Sequence, residues 1–296
     1  MINPARVADP AALRRLVQTV LAQDGWPEPV WLETSVEDPG GSQARLAIDA
    51  GAEVVFVGGG DGTIGAVAAE LADTETVLAA LPFGAGNVLA RNLGLPRDVT
   101  ALVRLATRGG RRRIDLGVAD GQAFTVAAGI GLDAQMLAVT SSRVKRLIGW
   151  PAYGLAVLRH LHEPHFAVSL TLDRTTTIVR RVRAVVVANV GRLPGGLALV
   201  PGARPDDGRL DVVLIAPHGL RDWVRLLAAV VRRPGAPPVE TFAAAEVQLV
   251  ADHVQPREVD GDLIAPSDRL TVTIRPRVLT VCVESGGASS TLGGAS

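Results

Sequence analysis

The chain has 296 residues, 48% hydrophobic, 20% charged and only 3% aromatic, a folded composition long enough for two domains with cores of Ala, Val and Leu. Thirty basic and thirty acidic side chains cancel, which removes any global electrostatic case for nucleic acid as a partner. The sole cysteine, Cys282, excludes an internal disulfide; with no signal pattern and no apolar run near the ~18 residues of a membrane span, it points to the cytosolic side.

In chain order, Asn3-Pro4 with Arg6 behind it closes a very short first strand. Asp9 and Pro10 start a helix whose Leu13, Leu16, Val17 and Val20 share one face. Residues 30–34 read as a strand, Ser42 caps a second helix that Gly51 ends, and the apolar run at 54–57 suits a buried strand. Ile64, Val67, Ala68 and Leu71 recur at helical spacing, so residues 58–63 form a strand-to-helix turn. The strand at 77–81 runs into a second glycine-rich turn, Leu81-Pro82-Phe83-Gly84-Ala85-Gly86-Asn87. A short helix closed by Gly94 and Pro96 follows, then another from Asp98 to Gly109-Gly110. This alternation predicts a mostly parallel sheet covered by helices.

Past Arg111-Arg112-Arg113 the segments become short, β-rich and punctuated by turns, at 122–127, 167–172, 177–188, 210–215, 246–250 and 270–274. They predict a second, largely antiparallel domain. The expected organisation is α/β plus β-rich: residues 1–114 an α/β domain, 115–284 a β-rich domain, and 285–296 a Gly/Ser-rich disordered tail. Helical stretches at 141–162 and 220–233 interrupt the second domain. The first carries Arg143, Lys145 and Arg146 ahead of Trp150 and Tyr153, and the second flanks Trp223 with Arg221 and Arg225. Basic residues beside Trp and Tyr suit a membrane interface, and packed helices with solvated arginine edges suit the same periodicity.

The chemistry concentrates in the first turn, Gly58-Gly59-Gly60-Asp61-Gly62-Thr63. Glycines let a polyphosphate approach the backbone, and the helix N-terminus adds partial positive charge. An aspartate there would repel phosphate unless Asp61 holds Mg²⁺ or takes a proton from the attacking group. Gly60 to Gly65 also match the dinucleotide pattern G-x-G-x-x-G, but the next strand ends in Pro82-Phe83-Gly84 instead of a ribose-binding acid. Both glycine turns follow strands of one sheet and should open at the same edge, where they could straddle a nucleotide. Downstream, Val259-Asp260-Gly261-Asp262 reads as a hairpin turn whose carboxylates could also supply a general base. Asp206-Asp207-Gly208-Arg209 is a turn that could hold a cation.

Taken together, Asn3-Pro4, Thr34, the GGDGT turn, the Pro-x-Gly-x-Gly-Asn loop with Ala90-Arg91, Ile114 to Gly117, Gly129 to Ala134, Asn189, Gly195-Gly196, Asp207-Gly208 and Asp260-Gly261-Asp262 resemble the diacylglycerol kinase catalytic-domain family of lipid kinases. The resemblance implies an ATP-dependent lipid kinase with its active site in the cleft between the two domains. ATP would touch Asn3, Thr34, Gly58, Gly59, Gly60, Asp61, Gly62, Thr63, Gly84, Ala85, Gly86 and Asn87. Asp61, Asp260 and Asp262 would be catalytic, with Asp61 serving the catalytic Mg²⁺ or polarising the acceptor hydroxyl. Asp207 with main-chain oxygens of Arg204 and Arg209 would hold a structural Mg²⁺, and Asp133 would face the substrate. The implied partners are a lipid alcohol such as diacylglycerol and the inner face of the membrane; a second copy of the chain stays open. Ala85 stands where the family has a hydroxyl, which predicts weaker nucleotide binding, and Asp262 replaces the family's Glu. Two other readings remain: an NAD kinase-like enzyme, because GGDGT is shared with NAD kinases, and a catalytically weak nucleotide- or lipid-binding member of the family.

Overall fold

A computed structural model describes residues 1–35, 37–131, 165–193, 197–200, 202–217, 219, 222 and 239–285. The predicted helix at 141–162, the one at 220–233 apart from Asp222, Asp133 and the Gly195-Gly196 pair lie outside the described residues, as does the predicted tail beyond Ser285. The chain falls into two compact units, one of Met1–Ile114 with the chain from Val278 onward, the other of Asp115–Arg277. The expected second domain thus loses residues 278–284 to the first. The cause is pairing: Val281 lies in parallel register with Leu78 of the α/β unit.

In the first unit, β1 (Val54–Gly59) pairs in parallel with β2 (Val77–Pro82), from Val54↔Val77 to Gly59↔Pro82. Ile2 adds isolated parallel bridges to Gly58 and Glu33. Helices α1 (Pro10–Gln23), α2 (Gly41–Asp49), α3 (Asp61–Leu71), α4 (Val88–Asn92) and α5 (Val99–Arg108) connect and cover the strands. Asp9 caps α1 by accepting from Ala12 N, and Asp98 caps α5 by accepting from Ala101 N, both at 2.8 Å. Leu13, Val17, Val20 and Leu21 of α1 pack with Leu102 and Val103 of α5 over Leu81. Each such side chain contributes ~1.5–3 kcal/mol when fully buried.

Three local expectations change. Residues 30–34 form no strand, because Pro27 and Pro29 withhold donors and the partner is the single residue Ile2, which bonds Leu32 O and Thr34 N. The second helix starts at Gly41 with Gly40 as its N-cap, so Ser42 lies inside it; Asp38 lies just upstream, its carboxylate accepting from Gly40 N. The first glycine turn shrinks to Gly60, since β1 continues through Gly59 against Pro82 and α3 already begins at Asp61.

The second unit is built from antiparallel ladders in the order β13-β5-β8-β11-β12. Its strands are β3 (Gly110–Ala119, entering from the first unit), β4 (Gln122–Phe124), β5 (Ala127–Gly131), β6 (Phe166–Leu172), β7 (Thr176–Val182), β8 (Ala184–Ala188), β9 (Arg192–Leu193), β10 (Leu197–Ala198), β11 (Leu210–Ile215), β12 (Glu240–Ala244), β13 (Glu246–Val259) and β14 (Asp262–Val283). The last of these continues into the first unit. The expected strand at 177–188 is two strands, β7 and β8, broken at Arg183, whose backbone N–H turns to Ile215 O. On β6 every second residue is buried, the period of two that places Phe166, Val168, Leu170 and Leu172 in one core with Phe124, Ile130 and Val247.

Candidate active site

Three chain segments converge at the carboxyl end of β1. Asn3 N donates to Gly58 O and Phe83 N to Gly59 O, each at 2.9 Å, so the first residues and the second glycine turn flank the first turn. The two turns touch. A Cβ on Gly84 would lie 2.6 Å from Gly60 Cα, and one on Gly86 would lie 2.5 Å from Asp61 Oδ2. Only glycine permits that approach.

Asp61 is the pin between the turns. As the first residue of α3 it accepts a 2.6 Å hydrogen bond from Val88 N, the first residue of α4. Asn87, in the N-cap position with φ 49°, makes no capping bond and instead donates from Nδ2 to Gly84 O at 2.8 Å. A carboxylate thus meets the orphan N–H groups of a helix start, as the helix dipole favours. Burial pushes the Asp61 carboxyl above the usual range, while the N–H groups of Val88, Asn87 and Leu89 and the charge of Arg91 pull it back. Asn87 Oδ1 is buried without a partner among the described residues, and so is Thr34 Oγ1 on a residue only 4% exposed. Thr63 is buried, whereas Gly62 and Ala85 are exposed at the surface of the turns.

In the second unit, Asp260 and Gly261, with φ of 50° and 90°, form a two-residue hairpin turn closed by the pair Val259↔Asp262. The Asp260 carboxylate is saturated. Oδ2 accepts from Thr125 N at 2.8 Å and Thr125 Oγ1 at 3.1 Å, and Oδ1 from Val126 N at 2.8 Å and Ala127 N at 3.1 Å. Burial nevertheless pushes its pKa up to about 6. Asp262 is exposed, its carboxylate has no hydrogen-bond partner among the described residues, and desolvation shifts it upward. Glu258, fully buried, accepts from Gly261 N at 2.6 Å across the turn.

The Asp207 turn has its own electrostatics. Asp207 Oδ1 accepts from Arg209 N at 3.0 Å, and Arg204 pairs with Asp206 at 3.4 Å. Fully buried Asp115 accepts from Gly208 N and Arg277 N, each at 2.7 Å. Burial and then the charges of Asp207 and Asp206 raise the Asp115 pKa; burial and then Asp207 push Asp211 up to about 6. Among the described residues no group of three or more His, Cys, Asp or Glu gathers as a metal cluster.

The structure therefore brings Asn3, Thr34, Gly58 to Thr63 and Gly84 to Asn87 together in the first unit. Asp260 and Asp262 share one turn of the second, and Arg204, Asp207 and Arg209 another. Sequence reasoning missed Glu258 and Thr125, which hold the Asp260 turn. The one available signal was the alternation Glu258-x-Asp260-x-Asp262.

The chain is similar to known proteins over both units. The model of the diacylglycerol kinase catalytic domain matches residues 7–119, and that of the YegS C-terminal NAD kinase beta sandwich-like domain matches residues 125–283. A probable lipid kinase YegS-like of Pseudomonas fluorescens is 32% identical over 255 residues, covering 84% of this chain and 83% of that one. One of Chromohalobacter salexigens is 29% identical over 253 residues, covering 83% and 80%. The match to a Pseudomonas aeruginosa relative, 36% identical, spans about half of that chain, 56%. A diacylglycerol kinase structure from Bacillus anthracis superposes with a TM-score of 0.73 at 21% identity, covering 96% of this chain and 95% of that one. An Archaeoglobus fulgidus NAD kinase in complex with ATP superposes at 0.53 and 12% identity, covering 93% and 91%, a likeness of fold alone. With family models over both units and relatives named as probable lipid kinases, the chain belongs to the diacylglycerol kinase catalytic-domain family.

Proposed function

We propose that the protein is a lipid kinase that transfers the γ-phosphoryl group of ATP to a hydroxyl of a lipid such as diacylglycerol. The observation that carries this reading is the contact of the two glycine turns, Gly60 against Gly84, joined through Asp61 and Val88. Side-chain-free backbone on two adjoining loops suits a polyphosphate. The names of the relatives supply the lipid as acceptor class.

The acceptor oxygen attacks the γ-phosphorus, the bond to the bridging oxygen of ADP breaks, and the hydroxyl proton passes to a carboxylate. Asp262 is the better proton acceptor, because the lone pairs of Asp260 are occupied by three amides and a hydroxyl. Asp260 then holds the turn in place. Mg²⁺ bound with the nucleotide would neutralise charge on the β- and γ-phosphates. Asp61 is the carboxylate that would hold it, and a single carboxylate suits an ion that takes its other ligands from phosphates and water. Asn87 Oδ1, buried beside this turn without a partner among the described residues, fits the same ligand environment. A second cation at Asp207 and the carbonyls of Arg204 and Arg209 would relieve the charge that raises the Asp115 and Asp211 pKa values.

Among the described residues no helix is long and apolar enough to cross a membrane. Reaching a bilayer lipid then calls for peripheral docking, for which the Trp-bearing segments near 150 and 223 are the candidates. Radiolabelled ATP offered with diacylglycerol, a sphingoid base and NAD in separate reactions tests the reading. Label in a lipid phosphate supports it. Label only in NADP moves the chain to the NAD kinase reading, and nucleotide binding without turnover on any acceptor leaves a binding protein.

A further inference from the structure

The β13–β14 ladder steps from Gln255↔Ser267 to Arg257↔Ile264, two residues along one strand and three along the other. β14 therefore bulges at Ala265-Pro266, and Pro266 has no N–H to offer a ladder. Arg257 fills the break. Its guanidinium, on a residue 8% exposed, donates from Nε and Nη2 to Ala265 O at 2.8 and 2.6 Å and from Nη1 to Arg269 O at 2.8 Å. Nη1 also pairs with Asp120, whose other carboxylate oxygen accepts from Thr271 N at 2.9 Å.

The two arms of this hairpin are held differently. The β13 arm pairs on its far side with β5, through Arg257↔Ile130, Glu258↔Gly129 and Val259↔Ala128. Among the described residues, the β14 arm from Asp262 to the bulge has ladder partners only on β13. From these contacts we infer that Arg257 is a positioning residue for phosphoryl transfer: its fork ties Ala265 to the anchored β13 arm and so sets where the Asp262 carboxylate stands. This rests on the reading of Asp262 as proton acceptor. Three rungs at about 3.4 Å per residue make an arm about 10 Å long, so a swing of about 10° at the bulge moves Asp262 by about 2 Å. Misplacement by about 1 Å costs on the order of 10²-fold in rate.

The test uses the full chain with MgATP and dioleoylglycerol in mixed micelles. Arg257→Lys keeps the buried cation but cannot present a planar fork to two carbonyls. Its kcat falls about 10- to 100-fold, with KM for ATP within about twofold of wild type. In an Asp262→Asn background the same substitution lowers kcat by less than about twofold more, because the acceptor it positions is already gone. Wild-type kcat in Arg257→Lys, or an equal fold loss in both backgrounds, overturns the inference. Should Arg257→Lys fail to fold, Asp120→Asn decides: it removes the charge that aims Nη1 and so loosens the fork on Ala265, and reduced kcat at unchanged KM supports the inference, whereas unchanged kcat overturns it. Wild-type turnover in Asp262→Asn removes the proton-acceptor reading and this inference with it. A negative result confined to Arg257 leaves that reading standing.

Discussion

Replacing Gly84 by alanine adds one methyl group at the contact on which the nucleotide reading depends. The new Cβ would lie 2.6 Å from Gly60 Cα, against about 3.5–4.0 Å for an ordinary carbon contact, so the turns must part by about 1 Å. The obstructing atom is backbone, and no rotamer change relieves it. Overpacking of this kind costs ~1–3 kcal/mol. The same gap is spanned by the 2.6 Å bond from Val88 N to Asp61, and a hydrogen bond to a charged group is worth ~1.5–3 kcal/mol. A combined loss of about 3 kcal/mol, if it falls on the nucleotide-competent arrangement, weakens ATP binding roughly 100-fold. Calorimetric titration with MgATP reads this directly, with near-UV circular dichroism to confirm the fold. Gly41→Ala is the control, since its Cβ would meet Glu70 Oε1 at an ordinary 3.6 Å. A Gly84→Ala protein that binds MgATP as tightly as wild type would refute the two-turn cradle.

Ala85→Thr restores a hydroxyl at an exposed position of the second turn and should tighten ATP binding several-fold, read as a lower KM for ATP; an unchanged KM would remove that position from the phosphate site. Asp262→Asn should lower kcat by about 10²- to 10⁴-fold, leaving a measurable residual rate, with the melting temperature nearly kept, whereas Asp260→Asn points an amide NH₂ at backbone donors and should lower stability by about 2 kcal/mol, seen as a lower denaturant midpoint. The reverse pattern would make Asp260 the base. The Asp260 carboxyl is raised to about 6 in the folded protein, so its stabilising protonation is complete below about pH 4, its unfolded value, and is lost as pH rises through about 6. Thermal midpoints of wild type and Asp260→Asn should therefore converge or reverse order between pH 4.5 and 7, and parallel curves would contradict the burial argument. If Asp207 holds a cation, millimolar Mg²⁺ raises the wild-type melting temperature and leaves that of Asp207→Asn unmoved; equal shifts in both would place the ion elsewhere.

Much of the first unit could be read in advance because its signals are local. Asp9 and Asp98 announce helix starts by side-chain chemistry confined to three residues, and Ile64, Val67 and Leu71 mark the buried face of α3 by spacing alone. The failures occur where a distant partner decides. Residues 30–34 have strand-like composition, yet their partner is the single residue Ile2. The break at Arg183 depends on Ile215 O, 32 positions away in the chain, and nothing within 177–188 marks it.

The amino-acid sequence by itself determined the alternating α/β order, the glycine content of the two turns and the presence of carboxylates in the Asp207 and Asp260 turns, because each depends on residue type and short-range spacing. Only the tertiary structure decided what those carboxylates bond to. Asp61 meets the first N–H of α4 across 27 positions, and Asp260 meets the amides of residues 125–127 across more than 130, leaving Asp262 without a partner among the described residues. The physical reason is that a hydrogen bond depends on distance in space. Which acid is occupied and which is available follows from partners that come within 3 Å only when the chain has folded.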